Sequence, residues 1–203
     1  LKIAKIVKTH SPNIKIAIGG IHPTSFYREI LTNCKDVDYI AIGEGENTIV
    51  SLAAAVNAKN NKLLSYIKSF AYRDEEGEIK INREKNYVDD LDALPMPAWD
   101  LVDLNKFEMK LDHYYNPPKL PIKHKAAIFA SRACPLACNF CDMFLVMGKK
   151  HRKRSVKNIV DEIEVLNKKY GVNFFSFMDD NLTLNKAHII DLCNEILRRK
   201  IKI

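Results

Sequence analysis

Short apolar runs alternate with amphipathic stretches along most of this chain. Leu1, Ile3, Ala4, Ile6 and Val7 recur at helical spacing. Residues 13–18 (NIKIAI) are expected as a short strand that runs straight into Gly19-Gly20. A helix is expected over residues 25–32. Residues 37–42 (VDYIAI) repeat the strand signature, end at Gly43-Glu44-Gly45-Glu46, and lead into an expected helix over 47–58. Short strands separated by helices predict a parallel sheet in an α/β fold.

The middle of the chain has a different rhythm. Residues 65–73 and 78–83 are expected as two strands joined by Asp74-Glu75-Glu76-Gly77, a hairpin with a turn glycine. Residues 89–104 carry alternating acids and two prolines, Pro95 and Pro97, which stiffen an inter-domain linker. Trp99, the only tryptophan, is expected to anchor that linker to a domain.

The β/α rhythm then resumes. Residues 126–131 (AAIFAS) form an expected strand that leads into a cysteine-rich loop. Ser155 can cap a helix whose apolar stripe is Val156, Ile159, Val160, Ile163, Leu166 and Tyr170, and Gly171 ends it. Residues 173–178 (NFFSFM) are the next strand, closing at Asp179-Asp180-Asn181. Thr183 is the expected cap of a last helix with Ile189, Ile190, Cys193, Ile196 and Leu197 facing inward, and residues 201–203 are expected to begin another strand. The chain therefore divides into residues 1–62, a hairpin and linker over 63–125, and residues 126–203.

Composition narrows the function classes. With 203 residues and 47% apolar content, the chain can build the core of one domain or pieces of two. It starts at Leu1, already inside a helical pattern, which reads as a fragment or a processed chain. No apolar run approaches the ~20 residues of a membrane helix. Five cysteines, three of them clustered, do not form a secreted disulfide framework, so a reducing cytoplasm is expected. The net charge of +7 is concentrated partly in Lys149-Lys150-His151-Arg152-Lys153-Arg154. Such a run is a weak motif, and it reads as a solvated loop before a helix. No aromatic residue interleaves with it, so nucleic acid is not the expected partner.

Chemistry concentrates in Cys134-x-x-x-Cys138-x-x-Cys141. Three closely spaced thiolates can hold three irons of a cubane cluster and leave the fourth iron open to a substrate. A closed zinc site wants four ligands, commonly in paired Cys-x-x-Cys units, and this chain has one triplet. His124 or His151 as a fourth ligand keeps zinc open as an alternative. Cys34 and Cys193 read as core thiols. The cysteine loop and Asp179-Asp180-Asn181 each follow a strand's C-terminal end, where barrel folds collect catalytic groups.

The triplet, with Phe140 directly before Cys141, resembles the signature of the radical S-adenosylmethionine (SAM) enzymes. That resemblance implies a 4Fe–4S cluster on Cys134, Cys138 and Cys141, whose open iron chelates SAM. Reductive cleavage of the sulfonium then yields a 5′-deoxyadenosyl radical. It also implies Phe140 beside the adenine, Asp179 and Asp180 at the SAM amino group, and an electron donor such as flavodoxin or ferredoxin. Asp179 and Asp180 stand where other members carry Gly-Gly-Glu.

Arg154-Ser155, Val160-Asp161-Glu162-Ile163 and Phe177-Met178-Asp179-Asp180-Asn181 resemble the class B subgroup, which carries an upstream cobalamin-binding domain. Gly19-Gly20-Ile21-His22-Pro23-Thr24 and Gly43-Glu44-Gly45-Glu46 are similar to the second half of that domain, whose glycine loops flank the cofactor's nucleotide tail. The resemblance makes Gly19, Gly20, Gly43, Glu44 and Gly45 the cobalamin-binding residues. His22 does not match the cobalt-binding Asp-x-His-x-x-Gly motif, and its expected role is a loop hydrogen bond.

The implied fold is the C-terminal half of a Rossmann-like cobalamin-binding domain followed by the start of a radical SAM (β/α) partial barrel. The implied activity is methyl transfer to a carbon or phosphorus centre of a small molecule, or radical cyclisation and rearrangement. A fragment with only two β/α units of the barrel is expected to bind the cluster poorly and not to turn over. A zinc-bearing RNA-binding module is the reading from another class. A tRNA methylthiotransferase would carry three further N-terminal cysteines, which Cys34 alone does not supply.

Overall fold

A computed structural model describes residues 1–107, 122, 124–136 and 138–203, so most of 108–125 in the expected hairpin-and-linker segment lies outside the described residues. The chain divides into two units: Leu1–Asp89 with Cys134–Lys149, and Asp90–Ala133 with Lys150–Ile203.

The first unit runs α1 (Lys2–His10), β1 (Ala17–Ile18), α2 (Ile21–Ser25), α3 (Tyr27–Asn33), β2 (Tyr39–Ala41), α4 (Glu46–Asn57), β3 (Phe70–Arg73) and β4 (Ile79–Asn82), and takes in α5 (Met143–Met147) from further along the chain. Its sheet has the order β1-β2-β3-β4. β1 and β2 are parallel, with Ala17 opposite Tyr39, as their β/α rhythm requires. β3 and β4 are antiparallel, Phe70 pairing Asn82, and Gly77 takes φ +85° in their turn. β3 also pairs β2, so the hairpin completes the first sheet.

Side chains of this sheet alternate between two cores. Ile40 and Ala71 pack with Ala4, Ile30, Leu31, Cys34 and Val37. Tyr39, Phe70 and Tyr72 pack with Leu52, Ala55, Leu64 and Ile67 on the other face. Phe70 stacks on both tyrosine rings at 5.7 and 5.6 Å and is fully buried, so truncation to Ala would cost about 3–5 kcal/mol.

Three local expectations differ from the structure. The strand expected over 13–18 is confined to Ala17–Ile18, because the backbone N–H of Ile16 is taken by the Asp38 carboxylate at 2.8 Å. The helix expected over 25–32 is interrupted at Phe26, whose φ of −118° lies outside the helical region. The strand expected from residue 65 starts at Phe70, since Asn61–Tyr66 close into a 3₁₀ helix capped by the Asn60 side chain.

The second unit contains β5 (His124–Ile128), β6 (Ser131–Arg132), β7 (Arg152–Lys153), α6 (Val156–Tyr170), β8 (Val172–Phe177) and α7 (Lys186–Arg198). β5 and β8 are parallel neighbours, and β6 pairs antiparallel with β7. Ser155 Oγ accepts the Asn158 N–H at 3.1 Å, and Gly171 ends α6 at φ +67°, both as the sequence predicts. Ile159, Val160, Ile163 and Leu166 form the α6 side of a core with Ala126, Ile128, Ala130, Val172 and Leu192.

The Trp99 indole N–H donates to Glu162 at 2.9 Å, so the tryptophan anchors its segment as expected. Two expectations for α7 are corrected. Asn185, not Thr183, caps it, accepting the His188 N–H at 3.0 Å. Cys193, Ile190 and Leu197 are exposed, Leu197 at 73%, while Leu192 is the buried residue. Apolar side chains surround most of this helix, so periodicity alone does not pick the face that α6 covers.

Candidate functional site

The C-terminal ends of β1 and β2 carry the two glycine loops. Gly20 takes φ +101° and Gly43 φ +75°, conformations that suit glycine. Thr24, buried on α2, accepts the Gly43 N–H at 2.9 Å and ties the loops together. A Cβ at Gly20 or Gly45 would meet no described atom within 4 Å, whereas one at Gly19 would touch the Ala41 Cβ at 3.5 Å. The crest therefore has open glycine surface beside the exposed apolar side chains Ile21 and Ile49. Such a crest fits the close approach of a large flat ligand.

Gly43 and Glu44 point differently. A Cβ at Gly43 would lie 3.0 Å from the Val146 carbonyl oxygen. Glu44 is buried, and its carboxylate accepts the Val88 N–H at 2.8 Å. Both residues hold the loop from below. His22 is exposed and meets Phe26 ring to ring at 4.9 Å. At the opposite ends of β1 and β2, a cavity of about 430 Å³ is lined by Lys15, Asp38, Tyr39, Tyr72 and Arg73. Two of its charges are engaged within the fold: Asp38 pairs with Lys8 and Lys15, and Arg73 donates to the Leu31 carbonyl.

Cys134, Cys138 and Cys141 belong to the first unit, each half-buried, and all five cysteines of the chain are thiols. The Cys141 N–H donates to the Cys138 carbonyl at 3.0 Å, closing a turn, and Phe140 within it is 93% exposed. Among the described residues, no three His, Cys, Asp or Glu side chains converge as a metal-ion ligand set. The donor set still fits an iron–sulfur cluster by its chemistry: three soft thiols on one short loop.

Asp179 and Asp180 belong to the second unit. The Asp179 carboxylate accepts the Ala130 N–H at 3.1 Å and the Ser131 hydroxyl at 2.6 Å. Desolvation pushes the Asp180 carboxyl up, Asp179 adds to the rise, and a hydrogen bond from the Ala133 backbone opposes it. Ala133 is buried, sits at φ +67°, and directly precedes Cys134 in sequence. The two aspartates thus brace the backbone that feeds the cysteine loop.

Two imidazoles of this unit stand out, His151 from the basic run and His188, which carries no sequence signal. His151 Nε2 and His188 Nε2 are buried with no hydrogen-bond partner among the described residues. Burial first, and Lys153 second, hold both rings below the usual histidine range, while Asp179 pulls the other way. No helix among the described residues is long and apolar enough to cross a membrane.

Known proteins resemble this chain along its whole length. The family model described as the B12 binding domain matches residues 1–53. An uncharacterized methyltransferase of Pyrococcus horikoshii is 29% identical over 99% of this chain and 41% of its own length. The anaerobic magnesium-protoporphyrin IX monomethyl ester cyclase of Synechocystis is 32% identical over 100% of this chain and 38% of its own. The chain thus spans about two fifths of these relatives. The solved structure of OxsB, a cobalamin-dependent SAM radical enzyme with aqua-cobalamin and SAM bound, superposes with a TM-score of 0.76 at 22% identity. That match covers 100% of this chain and 27% of the other, and speaks to the shared fold.

Proposed function

From a chain that belongs to the radical SAM proteins carrying a cobalamin-binding domain, we propose a role in radical methyl transfer to a small-molecule substrate. Three thiols on one loop, following a sheet with an open glycine crest, are the observation that carries this reading. Cys134, Cys138 and Cys141 hold a 4Fe–4S cluster through their thiolates. Phe140, exposed in the turn between the last two, offers its ring to the adenine of SAM. When bound, the cluster supplies the electron that cleaves SAM, and cobalamin supplies the methyl carrier.

The chain's own residues bind and orient. Gly19, Gly20 and Gly45 let the cofactor approach the backbone at the crest. Gly43 and Glu44 fix the loop from the protein side. Of the two aspartates, Asp180 is the one assigned to the SAM amino group, because Asp179 already gives both carboxylate oxygens to protein donors. A flavodoxin or ferredoxin is the electron donor that suits such a cluster.

Radical cyclisation is the second reading, favoured by the similarity to the Synechocystis cyclase. The experiment that separates them uses the intact protein, purified without oxygen and supplied with iron, sulfide, cobalamin and methyl-labelled SAM. Label in the product supports methyl transfer. An unlabelled, rearranged product supports cyclisation. One zinc per chain and no iron removes both.

A further inference from the structure

The helix that follows the cysteine triplet is seated on the glycine loop of the cobalamin half-domain. α5 begins two residues after Cys141, and Val146 on it is 2% exposed. α5 packs against α2. A Cβ at Gly43 would stand 3.0 Å from the Val146 carbonyl oxygen, closer than most real Cβ contacts. Gly148, which ends α5 at φ +75°, is equally constrained: its Cβ would lie 2.9 Å from Cε2 of Tyr87 and 3.2 Å from the hydroxyl. The other edge of that ring, Cε1, is 4.0 Å from the Gly43 Cβ position. Tyr87 is therefore wedged between two glycines, one on the loop after β2 and one at the end of α5. Its neighbour Val88 is pinned by Glu44 at 2.8 Å, and Gly43 itself is pinned by Thr24 at 2.9 Å.

We propose that Gly43, Tyr87 and Gly148 are positioning residues that couple the cobalamin crest to the cluster loop. This rests on the reading of the two cofactor sites given above. Two glycines let backbone, ring and carbonyl meet without intervening side chains, and such close-packed contacts transmit displacement instead of absorbing it. A cofactor seated on Gly20 and Gly45 restrains the loop that contains Gly43. That loop in turn restrains α5, and α5 is joined to Cys141 by Asp142 alone. Cobalamin occupancy is thereby felt at the last two cluster ligands.

The test uses the intact protein, reconstituted with iron and sulfide without oxygen, titrated with hydroxocobalamin and then reduced with excess titanium(III) citrate, which reduces the cluster and takes the cobalt to its diamagnetic Co(I) state. In the wild type, cobalamin shifts the g values of the reduced cluster in its EPR spectrum. Tyr87→Ala loses that shift while keeping its iron and cobalamin, and Tyr87→Phe, which keeps the ring, retains it. In the wild-type protein, cobalamin also slows amide exchange across residues 144–147 by about tenfold, a measurement that needs no variant to fold. A full g shift in Tyr87→Ala, or wild-type exchange unchanged with both cofactors bound, overturns the coupling alone. A wild-type protein that takes up no iron or no cobalamin overturns the reading of the sites, and the coupling with it.

Discussion

The Ser131 hydroxyl donates to the Asp179 carboxylate at 2.6 Å. That bond, with the Ala130 N–H on the same carboxylate, ties the chain after β5 to the chain after β8. Ala130 is 0% exposed and Ser131 4%, so water does not replace the acceptor if it is removed. Asp179 thus acts on the cysteine loop through the backbone that enters it.

Asp179→Ala leaves a buried amide and a buried hydroxyl unmatched, at a cost of about 2–4 kcal/mol in urea unfolding. Asp179→Asn keeps one acceptor oxygen and loses about half as much. An unfolding midpoint that does not move in Asp179→Ala refutes the brace.

Glu162 is 1% exposed and carries two partners, the Trp99 indole at 2.9 Å and the Arg154 guanidinium at 2.6 Å. Glu162→Ala leaves the Arg154 guanidinium its hydrogen bonds to Asn158 and the Phe129 carbonyl but removes its buried counter-charge, and a loss of about 3 kcal/mol is expected. Because Trp99 is the only tryptophan, its fluorescence reports the same change directly. Emission should move to the red as the indole loses its partner and meets water.

Gly45 has φ −100°, ordinary for any residue, and open space where a side chain would go. Gly45→Leu should leave the unfolding free energy in urea within about 0.5 kcal/mol of wild type. The new side chain fills the crest, so the dissociation constant for hydroxocobalamin should rise about tenfold or more. Unchanged affinity in a folded Gly45→Leu protein places cobalamin elsewhere.

His151 and His188 both have folded pKa values below the ordinary 6.5. As pH falls, the unfolded chain therefore binds protons first. Their contribution to stability is complete above about pH 6.5 and is lost as pH drops through the lower folded values. Asp180, shifted upward from 3.8, acts in the opposite sense, in a window set by its own titration. Urea midpoints measured from pH 7.5 down to pH 5.5 should fall, and the double variant His151→Gln/His188→Gln should flatten the slope. A wild-type midpoint constant over that range contradicts the buried, neutral imidazoles.

Much of this was legible where the cause is local. The Ser155 cap, the Gly171 stop and the turn at Gly77 each depend on one residue's own geometry. The thiol triplet was legible because its spacing is itself the chemistry. What the sequence did not reveal depends on distant partners. Cys193 was expected inside and lies outside, because the identity of the covered face of α7 is decided by α6. Phe26 breaks a helix that its neighbours' propensities favour. Tyr87 belongs to no sequence motif, since its meaning comes from Gly148, far along the chain, and His188 stands in an ordinary helical pattern.

The β3–β4 hairpin and the β5–β8 pair also differ in when they can form. β3 and β4 close over one short turn, Asp74 to Gly77, a step of about 1–10 μs for a hairpin. β5 meets β8 only after the cysteine segment and the whole of α6 have been looped out between them. Closing a longer loop is slower. On a ribosome, the hairpin is complete before Ser131 is made, and Ser131 then waits for Asp179 to emerge. Cys134, Cys138 and Cys141 lie between the two strands in sequence, so the order of synthesis exposes the three thiols before the β5–β8 pair can close.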